Sequence, residues 1–407
     1  MTAPAPVRTA TAADPARVIA DDAEALAVAA RLADEFRAGA AERDRDRRLP
    51  YAEVERLSAS GLLGITVPAA HGGADVRAET LAEVFRLLAT ADPSLAQIPQ
   101  SHFVYVGVLR RQGTPAQQEF FHREVLAGRR LGNAQSEAGT RHIQDIRTRL
   151  TPAADGSHLL TGVKHYCTGA LFAHWIPVLA RAEDGTLQVA YVPRDAPGLT
   201  VADDWDGMGQ RTTASGTVRL EGVRIPADRV VPHHLTFQGP QLHGAVAQLL
   251  HTAIDTGIAA AALAEAAEFV RTRSRPWFES GVATAAEDPL LIQRFGELGI
   301  QLRATEALLT AAARAVDTAT ADLTDDTAAE ASIAVAAAKA HAATTAVDTG
   351  SALFELAGTR AALDSLGLHR HWRDARTHTL HDPARWKVQH IGRYLLNGTR
   401  PPRHGLL

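Results

Sequence analysis

With a single cysteine, Cys167, the chain can form neither an internal disulfide nor a cysteine-based zinc site, and a reducing, cytoplasmic home fits. An excess of positive charge is missing too. Lys and Arg number 42 against 46 Asp and Glu, a formal net charge of -4, so nothing favours counterion-releasing contact with phosphates and nucleic acid is not an expected partner. No run of about 18 consecutive apolar residues occurs, and the N-terminal MTAPAPVRTATAADPARVIADD has no secretory-type apolar core; neither a membrane span nor export is expected. Several catalytic signatures are absent as well: G-x-x-x-x-G-K-[ST], H-E-x-x-H and G-x-S-x-G do not occur. The nearest approach to a dinucleotide fingerprint, GMGQRT at 207–212, lacks the third glycine and lies among strand-like segments.

What is present is a globular composition, 46% hydrophobic and 22% charged, arranged in three zones of different period. Residues 1–21, rich in Ala, Pro and Thr, read as a loosely ordered arm. From 22 to 130 the period is helical: Leu26, Ala29, Ala30 and Ala33 recur on one face, widened by Leu32 and Phe36, and a short helix stops near Gly61. From 131 to 235 the period is two, with Gly, Asp and Pro punctuation and a hairpin turn at Asp184-Gly185. A small antiparallel barrel or sandwich is expected there. From 236 to 407 the helical period returns. Leu291, Phe295, Leu298, Leu302, Thr305 and Leu309 share one stripe, and four helices are expected near 240–274, 288–318, 326–356 and 383–397, forming a four-helix bundle. The fold class is therefore mainly α with a central β-domain.

The densest chemistry lies at 377–383, THTLHDP. Asp382-Pro383 is expected to open a helix, the carboxylate capping free backbone N–H groups and the proline taking the first position. His381 would then sit at the positive end of that helix, which favours an uncharged ring. His369, His371, His378 and His381 fall within thirteen residues, but arginines alternate with the first two and oppose a cation, so no metal is assigned.

Helical cap, β-domain and bundle in this order, with GLLGITVPAAHGG (61–73), LTGVKHYCTGA (160–170), GMGQRTTASGTVRLEGVRIP (207–226) and RDARTHTLHDP (373–383), resemble the acyl-CoA dehydrogenase superfamily over about residues 22–400. Where its dehydrogenases carry a glutamate base, this chain has His381-Asp382-Pro383. HTLHDP, GNAQSE (132–137) and DDWDGMGQR (203–211) resemble the flavin-dependent, dibenzothiophene monooxygenase-like branch.

That resemblance implies site residues. His378, His381, Thr168 and Asn133 would be catalytic; Ser136, Thr168, Trp205, Arg273, Gly358, Thr359 and Arg360 would hold the flavin; His102 and Tyr105 would meet the substrate. Read without the resemblance, Asn133 could cap a turn, Trp205 could be packing, Arg271, Arg273 and Arg275 could be a solvated helix end, and His102 and Tyr105 could be core residues. The resemblance further implies FMNH2 or FADH2 supplied by a separate flavin reductase, because no nicotinamide-binding segment is present. It implies oxygenation of a small nucleophilic substrate through a flavin C4a-hydroperoxide, and a homo-oligomer, a tetramer or dimer of dimers, whose flavin sites straddle subunits. Two alternatives stand beside it: an acyl-CoA dehydrogenase or oxidase with Asp382 as base, and a non-catalytic flavin- or acyl-carrier-binding protein.

Overall fold

Seven helices build the N-terminal part of a computed structural model that describes residues 16–407: α1 (Asp22–Arg37), α2 (Ala40–Asp46), α3 (Tyr51–Ala59), α4 (Ala78–Ala91), α5 (Pro93–Gln97), α6 (Gln100–Gln112) and α7 (Pro115–Leu126). The Asp21 carboxylate caps α1 by accepting from the Glu24 N–H. The buried stripe of α1 is Ala25, Val28, Ala29, Leu32, Ala33 and Phe36, rotated slightly from the expected face so that Ala30 is exposed. After α3 the chain turns at Gly61, φ +87°, where an added Cβ would lie 2.1 Å from the Arg17 carbonyl oxygen. Residues 1–15 of the expected arm lie outside the described residues. The remainder is packed, with Ile19 only 3% exposed and the Arg17 N–H donating to Ala59 O, which corrects the expectation of a loose arm there.

The β-domain is one seven-stranded sheet: β1 (Arg149–Pro152), β2 (His158–Lys164), β3 (Trp175–Ala182), β4 (Leu187–Pro193), β5 (Leu199–Val201), β6 (Val218–Ile225) and β7 (Val230–Val231), in the order β5-β6-β2-β1-β3-β4-β7. Every neighbouring pair is antiparallel except β1 and β3, so the sheet is mixed rather than wholly antiparallel. The β3–β4 hairpin turns at Asp184-Gly185 as expected: Gly185 takes φ +84° and the Asp184 carboxylate accepts from the Thr186 N–H and hydroxyl.

The C-terminal part holds α8 (His243–Arg273), α9 (Pro289–Ala321), α10 (Asp325–Ala357), α11 (His369–His378) and α12 (Ala384–Asn397). Leu298, Thr305 and Leu309 on the expected α9 stripe are buried, with Leu291, Phe295 and Leu302 at its edges. Helix α8 has the length and hydropathy of a membrane span, but 78% of its most apolar window is buried inside the protein, among α4, α9 and α10. Helix α11 was not expected. Its inward residues, His371, Asp374, Ala375 and His378, follow the helical i, i+3, i+4, i+7 spacing, but three of the four are polar and leave no hydrophobic trace.

Candidate active site

Where the chain leaves β2, Tyr166 adopts φ +58° and stands 60% exposed, while Thr168 turns inward and is 8% exposed. A ladder of hydroxyls continues from Thr168: its Oγ1 lies 2.6 Å from Ser215 Oγ, which lies 2.8 Å from Thr213 Oγ1, and Thr213 donates to the Gln210 carbonyl at 2.9 Å. The Trp205 indole N–H donates to the same carbonyl at 2.8 Å, and its ring meets Tyr166 edge-on at 6.3 Å. Gly207 permits this fold-back, since a Cβ there would come within 2.2 Å of the indole. Asn133 joins through Nδ2, 3.4 Å from the Tyr166 carbonyl. Asn133, Thr168 and Trp205 therefore form one cluster, enlarged by Tyr166, Gln210, Thr213 and Ser215. Sequence reasoning passed over these four, although the run TTAS at 212–215 is a concentration of hydroxyls. Ser136 borders the cluster; its carbonyl accepts from the His165 N–H.

Helix α11 connects this cluster to a second one. Asp374 accepts from the Gln210 N–H at 2.6 Å, and one turn later His378 enters the bundle core. His251 and Asp255, one turn apart on α8, bracket the His378 ring. His378 Nδ1 is 2.5 Å from Asp255 Oδ1, and its Nε2 is 3.0 Å from His251 Nδ1. Lys339 of α10 closes the far end, its Nζ 2.7 Å from Asp255 Oδ2. His251 in turn stacks on His381, with ring centroids 4.0 Å apart and planes 36° apart. Burial opposes the Asp255 charge, but Lys339 and His378 outweigh it and lower its pKa. Burial lowers the pKa of His378 and takes that of His251 well below the ordinary histidine value, His381, His378, Lys339 and Lys387 adding to the latter. His251, Asp255 and Lys339 were missed. The available signal was ionisable side chains inside the apolar runs LLHTAIDTGIAAAA and AVAAAKAHA, where burial requires a partner.

The capping expectation for Asp382 is corrected. Helix α12 has Pro383 at its N-cap with no side-chain cap, and Asp382 Oδ2 instead pairs with Lys387 Nζ at 2.7 Å. Burial would raise the Asp382 pKa, but His381, Lys387 and Lys339 together hold it far below the usual carboxylate range. His381 is placed by the turn after α11, where its N–H donates to the His378 carbonyl, and by its stack on His251. Beside Asp382 opens a cavity of about 290 Å³ walled by Pro383, Trp386, Lys387, His390, His404, Leu406 and Leu407.

The other expected residues lie elsewhere. Arg273 ends α8 and Gly358, Thr359 and Arg360 follow α10; all four are exposed, and Arg360 donates to the Arg273 carbonyl at 2.9 Å. They form one polar end of the bundle, twenty-two residues beyond His251 on α8, about 33 Å at 1.5 Å per residue. His102 is 1% exposed: Nδ1 accepts from the Leu131 N–H at 3.0 Å, and Nε2 is 2.9 Å from the Leu63 carbonyl. With both nitrogens committed to backbone, and with burial lowering its pKa to about 4, His102 ties α6 to its surroundings as a core histidine, which corrects its expected role at the substrate. Tyr105, 3% exposed, packs edge-on to Tyr191 in the same region.

Asn133 Oδ1 and both carboxamide atoms of Gln210 are buried without a hydrogen-bond partner. Such orphans beside the Thr168 ladder suit a planar ligand edged with ring nitrogens and carbonyls, as an isoalloxazine is. Family models agree with this architecture. The N-terminal, middle and C-terminal domain models of acyl-CoA dehydrogenase match residues 21–129, 134–223 and 249–386, and the chain belongs to the acyl-CoA dehydrogenase family. It is 35% identical to the dibenzothiophene monooxygenase of Rhodococcus erythropolis over 94% of this chain and 95% of that one. It is 34% identical to the probable FMNH2-dependent monooxygenase SfnC of Pseudomonas putida, over 93% and 96% respectively. The crystal structure of FMN-bound TdsC from Paenibacillus sp. A11-2 superposes with a TM-score of 0.90 at 34% identity, covering 94% of this chain and 100% of that one. Within the family the protein stands in the monooxygenase branch and is a flavin-dependent monooxygenase.

Proposed function

We propose that this chain is the cytoplasmic oxygenase component of a two-component system: a separate flavin reductase supplies reduced flavin, and the chain places one atom of dioxygen on a small nucleophile at sulfur, nitrogen or an electron-rich aromatic carbon. The observation that carries this reading is the pairing of Asp382 with Lys387 beside three connected imidazoles, His251, His378 and His381. A carboxylate held ionised this firmly has too little proton affinity to strip hydrogen from carbon, so a dehydrogenase with Asp382 as base is disfavoured.

Reduced flavin would supply the electrons and carry the transferred oxygen, through a C4a-hydroperoxide in the finer form of this proposal. The chain's part is to bind, orient and keep dry. Asn133 would donate to a ring acceptor through Nδ2, while Thr168, whose own proton is committed through Ser215 and Thr213 toward the Gln210 carbonyl, would accept from a ring N–H. Tyr166 and Trp205 would pack beside the ring, and the Gln210 carboxamide would pair with a polar ring edge. Ser136 and Tyr105 would border the site. His381, on the accessible side of His251, would hold or move a proton. FMN is favoured over FAD by the relatives, one named as FMNH2-dependent and one solved with FMN. Arg273 and Arg360, with Gly358 and Thr359, stand too far along α8 to reach the same flavin and would meet the phosphate bound to a neighbouring subunit, in a tetramer or dimer of dimers.

The test supplies the purified protein with chemically reduced FMN in air and offers dibenzothiophene or indole. Oxygenated product is expected, and His381→Ala should lower product per flavin at least tenfold while hydrogen peroxide rises. Bleaching of bound oxidised flavin by butyryl-CoA under anaerobic conditions, with no oxygenated product, would overturn the reading in favour of a dehydrogenase.

A further inference from the structure

The hydrogen bonds of the buried histidine chain decide which of its rings can exchange a proton. Both ring nitrogens of His378 are taken, one by Asp255 at 2.5 Å and one by His251 at 3.0 Å, so His378 has none to offer a ligand. Resting on the oxygenase reading above, we propose that His251 is the residue that gives and takes protons within the site, and that Asp255 and His378 are positioning residues that decide which of its nitrogens is protonated.

The hydrogen bonds fix the tautomers in sequence. An ionised carboxylate only accepts, so His378 carries its proton on Nδ1. In neutral His378 the Nε2 is then bare and must accept, which places the His251 proton on Nδ1. His251 Nε2 is left unprotonated, and it makes no hydrogen bond among the described residues. One proton arriving at His251 Nε2 sends the Nδ1 proton on to His378 Nε2. The positive charge then rests on His378, facing the Asp255 carboxylate, while His251 is again neutral but now donates from Nε2. The return step reverses both transfers, so one proton enters or leaves and none is created.

The charged and titratable surroundings favour the uncharged resting form. Lys339 from α10, Lys387 from α12, His378 from α11 and His381 from the loop face His251, and Asp255 lies one turn along α8. Burial and these neighbours keep His251 neutral near pH 7, whereas Asp255 provides the sink that makes transient protonation of His378 affordable in free energy. His381, whose side chain is 40% exposed, links His251 to solvent. The proposed reaction needs such a path: oxygenation by singly protonated reduced flavin consumes one proton, one dioxygen and one substrate and returns oxidised flavin, oxygenated substrate and water.

The test has one reading without flavin and one with it. In ¹⁵N-histidine-labelled protein at pH 7.5, His251 and His378 are both expected as the Nδ1–H tautomer, the minority form of free histidine, and should titrate together on acidification. His251 found as the Nε2–H tautomer would overturn the proposal. His251→Asn retains a donor near the Nδ1 position but cannot titrate; with Tm and FMN affinity close to those of the wild type, its reoxidation of bound reduced FMN by dioxygen should slow at least tenfold and lose its pH dependence on the acid side of the ordinary histidine value. A reoxidation profile unchanged in His251→Asn would overturn the proposal even with the expected tautomers. His251→Phe, which keeps the packing and removes the donor, should uncouple the His378 titration. A wild-type protein that binds no FMN would instead show that the oxygenase reading has failed, and the proposal would fall with it.

Discussion

Asp255 is fully buried between Lys339 and His378, and its removal leaves an ammonium in a place water does not reach. Asp255→Leu is expected to cost about 3–5 kcal/mol, whereas adding Lys339→Met should recover most of that loss, because removing both ends of a buried pair is far cheaper than removing one. Thermal unfolding of the two single variants and the double variant measures the difference. Other residues of the site show what the sequence could disclose at this scale. Thr168, Asn133 and Trp205 were readable because their local strings resemble a family, and they share one hydrogen-bonded cluster. His251 and Lys339 were not, because the partners that explain an ionisable group inside an apolar helix lie 127 and 84 positions away in the chain.

Helix α11 carries two inward polar residues one turn apart, Asp374 toward the β-domain loop and His378 toward α8. Burial, and then the nearby Asp44, raise the Asp374 pKa to about 7, against the opposing hydrogen bond from Gln210. A carboxyl raised in the folded state contributes stability below its unfolded value near 3.8, and that contribution is lost as pH rises through about 7. Asp374→Asn keeps an acceptor for the Gln210 N–H and cannot ionise. It should raise Tm at pH 8, by an amount equivalent to roughly 1–3 kcal/mol, and leave Tm nearly unchanged below about pH 4. A pH series of melting curves tests the sign. The helix escaped pattern reading because its inward face is polar, and the role of Asp382 before α12 was misassigned because Asp-Pro suits a cap in sequence while Lys387, one turn on, offers the carboxylate an ion pair.

Across the molecule, apolar side chains on α9 and α12 face outward: Leu290, Ile292 and Ile300 on one, Trp386, Val388, Leu395 and Leu396 on the other, the last 84% exposed. Together with the distance from His251 to Arg273, this supports flavin sites shared between subunits. Light scattering is expected to give a tetramer, and Arg273→Ala should weaken FMN binding about tenfold or more while leaving the monomer fold intact by circular dichroism; a monomer with unchanged FMN affinity would remove the shared site. The sequence by itself determined the three-zone architecture, the strand and helix periods and the family, because periodicity and local strings are properties of neighbouring residues. Only the tertiary structure decided that Asp382 is an ion-pair partner and not a cap, that His102 belongs to the core, and that His251, Asp255 and Lys339 complete the histidine chain. The physical reason is that a buried charge or imidazole takes its proton and its orientation from groups brought to it by packing, and their separation along the chain carries no trace of that contact.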